Sequence, residues 1–326
     1  MTVYTPKAKI ALASSFEGIV NNGATECALT SLNAYQRMYP GLESFFSRVV
    51  EAREFGAFAD SQTVAGFVAL RQLVEIAEDY HTVLRLMDTY PDKITELLND
   101  PTNISLYEFF IDRFSAIKAT TAEERKRFGT GKQSEFYRER ARMQEVDYRA
   151  WMGTQRPYPN SIREMRKLIE TQIRDGDEVH KVLRSGFVPW FATSKDEESA
   201  FDLCRLYSDL GLLDPRDVSE HDSGVCVISR ERIIGLETTR DKIGQVKMIA
   251  EREGLPPSQV FRVNDRYDPK QQTQLADSGF GHQIMVTGGY VFPHDVQKAR
   301  NDPLVKVVER DNMAEEISRL AQRWGF

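Results

Sequence analysis

KIALASSFEGIV, residues 9–20, begins as a short apolar run over 9–13 and stops at Ser14-Ser15-Phe16-Glu17-Gly18. An apolar run of that length ending at small, polar and glycine residues reads as a buried strand that meets a turn. The rhythm then changes. From about 24 to 153 the pattern is helical, with Phe67, Leu70, Val74, Ala77, Tyr80, Leu84 and Met87 at three- and four-residue steps predicting one face of a long amphipathic helix. After Arg156-Pro157-Tyr158-Pro159, helices alternate with short apolar runs at 188–192, 225–228, 260–263 and 284–286. A strand-like LVKVV at 304–308 and a helix near 312–323, capped by Asp311 or Asn312, close the chain. Such alternation predicts a parallel sheet with crossover helices. The economical arrangement is a discontinuous α/β domain, residues 1–20 plus 158–326, interrupted by an all-α domain over 21–157.

The chain has 326 residues, enough for one or two domains, and its 41% hydrophobic and 28% charged content excludes a disordered polyelectrolyte or a membrane bundle. No apolar run approaches the roughly 18 residues that cross a bilayer, and the amino terminus lacks the pattern of a secretory signal. A cytoplasmic protein without a membrane partner is expected. Forty-three basic against forty-nine acidic residues give a net charge of −6, which argues against nucleic acid as the main partner. Cys27, Cys204 and Cys226 are too few and too scattered for a disulfide framework or a zinc site. The charged stretch 122–152 interleaves Arg125, Arg138, Arg140 and Arg142 with Glu123, Glu135, Glu139 and Glu145, and reads as a solvated, salt-bridged face. His81 and His180 fall in stretches read as helical, as packed or surface residues.

In open parallel sheets ligands bind beyond the carboxyl ends of the strands, so the residues after each apolar run carry the functional candidates. These are Ser15 and Glu17 after the first run, Thr193 and Ser194 after 188–192, Lys242 at a helix start, and Asn264, Asp265 and Asp268 after 260–263. Lys242 has a second reading as an exposed first-turn lysine, and Thr193 as a helix cap. Gly18, Gly288 and Gly289 read as turn glycines with positive φ.

Taken together, IALASSFEGIV, FATSKDEESAFDLCRLYSDLGLL and KIGQVKMIAEREGLPPSQVFRVND resemble, in order, the first motif, the second, and the third and fourth motifs of the haloacid dehalogenase-like superfamily. The resemblance implies a Rossmann-like core with a helical cap inserted after the first motif, where it selects substrate, and magnesium-dependent phosphohydrolase chemistry. In the family the first motif supplies a nucleophilic aspartate and, two residues on, an aspartate acting as acid and base. Here Ser15 and Glu17 stand at those positions. The resemblance further implies Thr193, Ser194 and Lys242 as phosphate ligands, and Glu17, Asp265 and Asp268 as a carboxylate set for Mg2+, which needs only one or two protein carboxylates.

A serine hydroxyl is a poor nucleophile without an adjacent base. The sequence therefore favours a superfamily member that has lost phospho-aspartate chemistry and binds a phosphorylated small molecule or a protein partner. The alternative is an active phosphohydrolase using metal-bound water or Ser15. The aromatic-rich helical block has residues enough for its own core and offers a surface for a homo-oligomer.

Overall fold

In the computed structural model, the described residues are 9–40, 49–175, 178–184, 186–193, 195–222, 226–235, 238–239 and 241–326. A six-stranded sheet organises the α/β part. Its strands are β1 (Ile10–Ser15), β2 (Phe187–Ala192), β3 (Ile233–Ile234), β4 (Val260–Asn264), β5 (Gln283–Val286) and β6 (Val305–Val308), in the spatial order β6-β5-β4-β1-β2-β3. The pairings are parallel, with β1 between β2 and β4. This is a doubly wound order that reverses at β1, where a ligand crevice forms by geometry alone.

The strands are short apolar runs because they are covered on both faces, and every residue of β1 and β2 is buried. One face packs Ala11, Ala13, Val188, Trp190 and Val260 against Val246, Ile249 and Ala250 of α10 (Lys242–Glu253), with Leu275 of α11 (Pro269–Asp277) alongside. Ala11 and Ala13 keep β1 thin, so α10 approaches closely. Helix α8 (Pro159–Ile169) lies against β2, and α13 (Met313–Arg323) against α8 and β6. No side chain caps α13 from Asn312; instead Glu164 of α8 accepts the Ala314 N–H at 3.0 Å.

By contact density the chain divides into two compact units, one of residues 1–22, 157–291 and 295–326, the other of 23–156 and 292–294. The second unit is helical among its described residues, with α1 (Ala24–Met38), α2 (Gln62–Leu70), α3 (Glu78–Thr89), α4 (Pro91–Asn99), α5 (Ile104–Thr120), α6 (Ala122–Gly129) and α7 (Glu135–Gly153). Its core includes Tyr35, Phe55, Phe67, Phe110, Phe128 and Phe136.

Several local readings are corrected. The face running from Phe67 to Met87 is not one helix: Val74 is extended at φ −89°, ψ 123°, and Asp79 turns back to accept the Glu75 and Ile76 N–H groups, starting α3 afresh. Of the 225–228 run, Val225 lies outside the described residues, and Ile228–Ser229 pairs with Val218–Ser219, while the main sheet continues through Ile233–Ile234. His180 lies in a hairpin strand, Glu178–Arg184 against Glu170–Asp175, not in a helix. Gly18 and Gly288 have φ of +79° and +80°, but Gly289 does not, and it is required for a different reason given below.

The stretch 122–152 is also less solvated than expected. Arg140 donates to the fully buried Glu26 of α1 through Nε at 3.0 Å and Nη2 at 2.7 Å, and Trp151 donates to the same carboxylate at 3.2 Å. Glu139, 2% exposed, accepts from Arg37 at 2.8 Å and from Arg142. Removing one partner of a buried pair leaves an uncompensated charge costing about 3–5 kcal/mol. Arg140→Ala is therefore expected to lower unfolding stability in urea by that order, and Glu26→Gln in the same chain to restore most of it; additive losses would contradict the pairing.

Candidate functional site

Strand β1 ends at Ser15, and the following residues fold back tightly: Gly18 donates to the Asn21 carbonyl at 2.8 Å and Val20 to that of Phe16 at 2.9 Å. The positive φ of Gly18 permits this turn, and its lack of a side chain is needed as well, since a Cβ there would stand 1.8 Å from Asp265 Oδ2. From the other side, a Cβ on Gly289 would meet the same carboxylate at 2.6 Å. Asp265 is thus seated between two glycines, 2% exposed, and accepts the Tyr290 N–H at 2.8 Å. Burial pushes its pKa up and the Tyr290 N–H opposes that shift.

The Ser15 hydroxyl donates to Asn264 Oδ1 at 2.8 Å and accepts from Arg262 Nη2 at 3.1 Å. Arg262 rises from the middle of β4, 3% exposed, with Nη1 donating to the Ala13 and Val263 carbonyls at 2.9 and 2.8 Å. Among the described residues no carboxylate touches it. Burial depresses its pKa to about 10, offset in part by the charge of Asp265. Its Nε has no partner among the described residues, and Arg262 lines, with Gln272 and Gln283, a cavity of about 10 Å³, room for about one water.

Lys242 is the first residue of α10, whose cap is Asp241, and it is not exposed to solvent as a first-turn lysine would be. Its ammonium donates to the Ala192 carbonyl at 3.2 Å, at the end of β2. Burial and then the charge of Arg262 lower its pKa to about 7, with Glu17 and Asp265 opposing. Thr193 is 1% exposed and caps no helix, because Asp196 caps α9 (Glu197–Asp209); its Oγ1 accepts the Lys195 N–H at 3.0 Å and keeps a proton to donate. Ser194 lies outside the described residues.

Glu17 pairs with Lys195 at 3.1 Å and accepts from Asn21 Nδ2 at 3.0 and 3.2 Å. Asp268 is exposed and caps α11 by accepting the Gln271 N–H at 3.0 Å. Arg310 completes the surroundings, donating to the Gly18 carbonyl at 2.7 Å and lying 3.9 Å over the Tyr158 ring. The structure therefore brings Ser15, Glu17, Thr193, Lys242 and Asp265 to the carboxyl end of the central strands and places Asp268 at a helix cap. Arg262, Lys195 and Arg310 went unread in the sequence. Arg262 had a signal, a cation inside an otherwise buried apolar run.

Magnesium, implied by the resemblance, takes hard oxygen donors in near-octahedral geometry. Among the described residues no three His, Cys, Asp or Glu side chains converge as a metal-binding group. Glu17 is neutralised by Lys195, Asp268 is spent on a helix cap, and the Arg262 guanidinium repels a cation from Ser15. The trio Glu17, Asp265 and Asp268 does not fit the metal.

A lysine whose pKa falls from 10.5 to about 7 on folding binds fewer protons in the native state between those values, so native stability rises with pH there. The urea midpoint is expected to climb from about pH 7 to about pH 9 and the climb to flatten in Lys242→Met. An identical pH dependence in both proteins would show that the ammonium is not desolvated.

No family model matches the chain, and no curated protein matches it. Among solved structures it is similar to a haloacid dehalogenase-like hydrolase from Streptococcus pneumoniae, with TM-score 0.48 and 11% identity over 95% of this chain and 98% of that one. It is also similar to a predicted phosphatase from Clostridium acetobutylicum, with TM-score 0.45 and 11% identity over 96% and 100% of the two chains. A third is a predicted phosphoglycolate phosphatase from Haemophilus somnus, with TM-score 0.44 and 11% identity over 95% and 98%. The α/β sheet with a helical insertion after its first strand is the architecture the sequence resemblance implies.

Proposed function

We propose that this chain is a haloacid dehalogenase-like protein that binds a phosphorylated ligand at the carboxyl end of β1 and has lost phospho-aspartate chemistry. The observation that carries this reading is the bonding of Ser15. Its proton points to Asn264 Oδ1, an amide oxygen that cannot act as a base, and its oxygen accepts from a guanidinium. A nucleophilic serine needs a neighbour able to take its proton. Neither contact does so, and Glu17 is held by Lys195 and Asn21.

What remains suits anion binding. Lys242 offers an ammonium and Thr193 a hydroxyl at the β2 terminus, and charge-assisted hydrogen bonds to phosphate oxygens are the strong kind. The ligand is a phosphorylated small molecule or a phosphorylated segment of a protein partner.

The test is phosphate release from a broad panel of phosphate esters, with magnesium and with chelator, alongside Asp265→Asn to expose contaminating phosphatase. No turnover is expected in either condition. Metal-dependent turnover by the native protein that disappears in Asp265→Asn would overturn the reading and favour the active phosphohydrolase. Orthophosphate is also expected to raise the melting temperature of the native protein and to lose that effect in Lys242→Met.

A further inference from the structure

We propose that the guanidinium of Arg262, seated beneath Ser15, takes the place of a metal ion and makes this a metal-independent phosphate site. The inference rests on the phosphate-binding reading above and adds how the charge of the ligand is met. Three features of the structure support it.

First, Arg262 is buried yet meets only carbonyls and one hydroxyl: Ala13, Val263 and Ser15. A buried cation without an opposite charge is costly, and an anion bound within a few ångströms relieves that cost. Second, the half-buried Lys242 has the Ala192 carbonyl as its hydrogen-bond acceptor, and Arg262 is close enough to oppose its charge. Two such cations flanking one strand end repel each other until an anion joins them. Third, the same arrangement disfavours a divalent cation, since the carboxylates that would hold it do not converge and a guanidinium occupies the ground beneath residue 15.

The Ser15 oxygen transmits part of this effect. Accepting from a guanidinium polarises its O–H, making it a stronger donor when it turns from Asn264 toward a phosphate oxygen. Thr193 and Lys242 supply the remaining contacts. Arg262 is accordingly a positioning residue.

The geometry also makes residue 15 and residue 262 interdependent. An aspartate at 15 would put a carboxylate where the Ser15 hydroxyl accepts from Arg262, and would form a buried ion pair in place of restoring a metal site.

The experiment is calorimetric titration with orthophosphate in chelator and in millimolar magnesium, on the native chain, Arg262→Met, Arg262→Lys and Ser15→Asp. The native protein is expected to bind with the same affinity in both conditions. Arg262→Met is expected to bind at least about tenfold more weakly, with Arg262→Lys between the two. Ser15→Asp is expected to melt higher, to lose phosphate binding and to gain none with magnesium. Binding by the native protein only with magnesium would overturn the metal-independent inference while leaving the phosphate-binding reading intact. So would magnesium-dependent binding restored in Ser15→Asp, or native-like affinity in a folded Arg262→Met. No binding in either condition would overturn both. If Arg262→Met does not fold, Arg262→Lys and Ser15→Asp still decide.

Discussion

Burying the Arg262 guanidinium beneath the end of β1 imposes conditions on everything around it. In the parallel β1–β4 pairing Ala13 stands beside Arg262 and Ser14 beside Val263, so the guanidinium can reach back only to the Ala13 carbonyl and on to the side chain of residue 15. Small residues at Ala11, Ala13 and Ser15 leave it the space. The donors on Nη1 are met by strand carbonyls that still serve the sheet, because a carbonyl oxygen has two lone pairs. What the fold does not provide is an opposite charge in contact. The buried carboxylate whose charge acts on it, Asp265, is fixed between Gly18 and Gly289 and takes the Tyr290 N–H. The tight turn after β1, the two glycines and the identity of residue 15 are therefore parts of one arrangement.

Much of the α/β framework was legible from residues 9–20 and 242–265, because buried parallel strands write themselves as short apolar runs and α10 carries both a cap and an apolar face. Where reading failed, a tertiary partner had decided the outcome. The two-residue strand Ile233–Ile234 is too short to show a period, while the longer apolar run before it pairs elsewhere. The split between α2 and α3 depends on Asp79 accepting two N–H groups, a turn device hidden inside a continuing helical pattern. In α7, Arg138 and Arg142 pair along their own helix with Glu135 and Glu139, whereas the partner of Arg140, Glu26, lies 114 residues away in α1.

The site was legible in part for the same reason. Strand ends are predictable once strands are, and Ser15, Thr193, Lys242 and Asp265 follow from that rule alone. Asp268 also follows from it, yet its carboxylate is engaged by its own helix N-terminus, a local competition that spacing does not reveal. Arg262 was passed over because three apolar neighbours made 260–263 read as a plain core strand. A single charge within such a run is the more informative residue, since burial of a cation has to be compensated somewhere.

How the chain treats its other buried cations sharpens the point. Of the arginines buried from solvent, Arg125 donates to Asp79 at 2.7 Å and Arg232 pairs with Asp222, whereas Arg262 touches no carboxylate among the described residues. Arg140 and Arg166, covered less completely, also meet carboxylates, in Glu26 and in Asp217 and Glu170. Pairing is thus the ordinary solution in both units, and the sequence has acids enough to apply it everywhere. Among the described residues Arg262 and the half-buried Lys242 and Arg310 depart from it, meeting carbonyls and hydroxyls instead, and all three lie near the strand reversal, where an α/β sheet opens its crevice. Local rules are broken where function gains from breaking them. It is there that the proposed phosphate ligand would bring the opposite charge the fold leaves out.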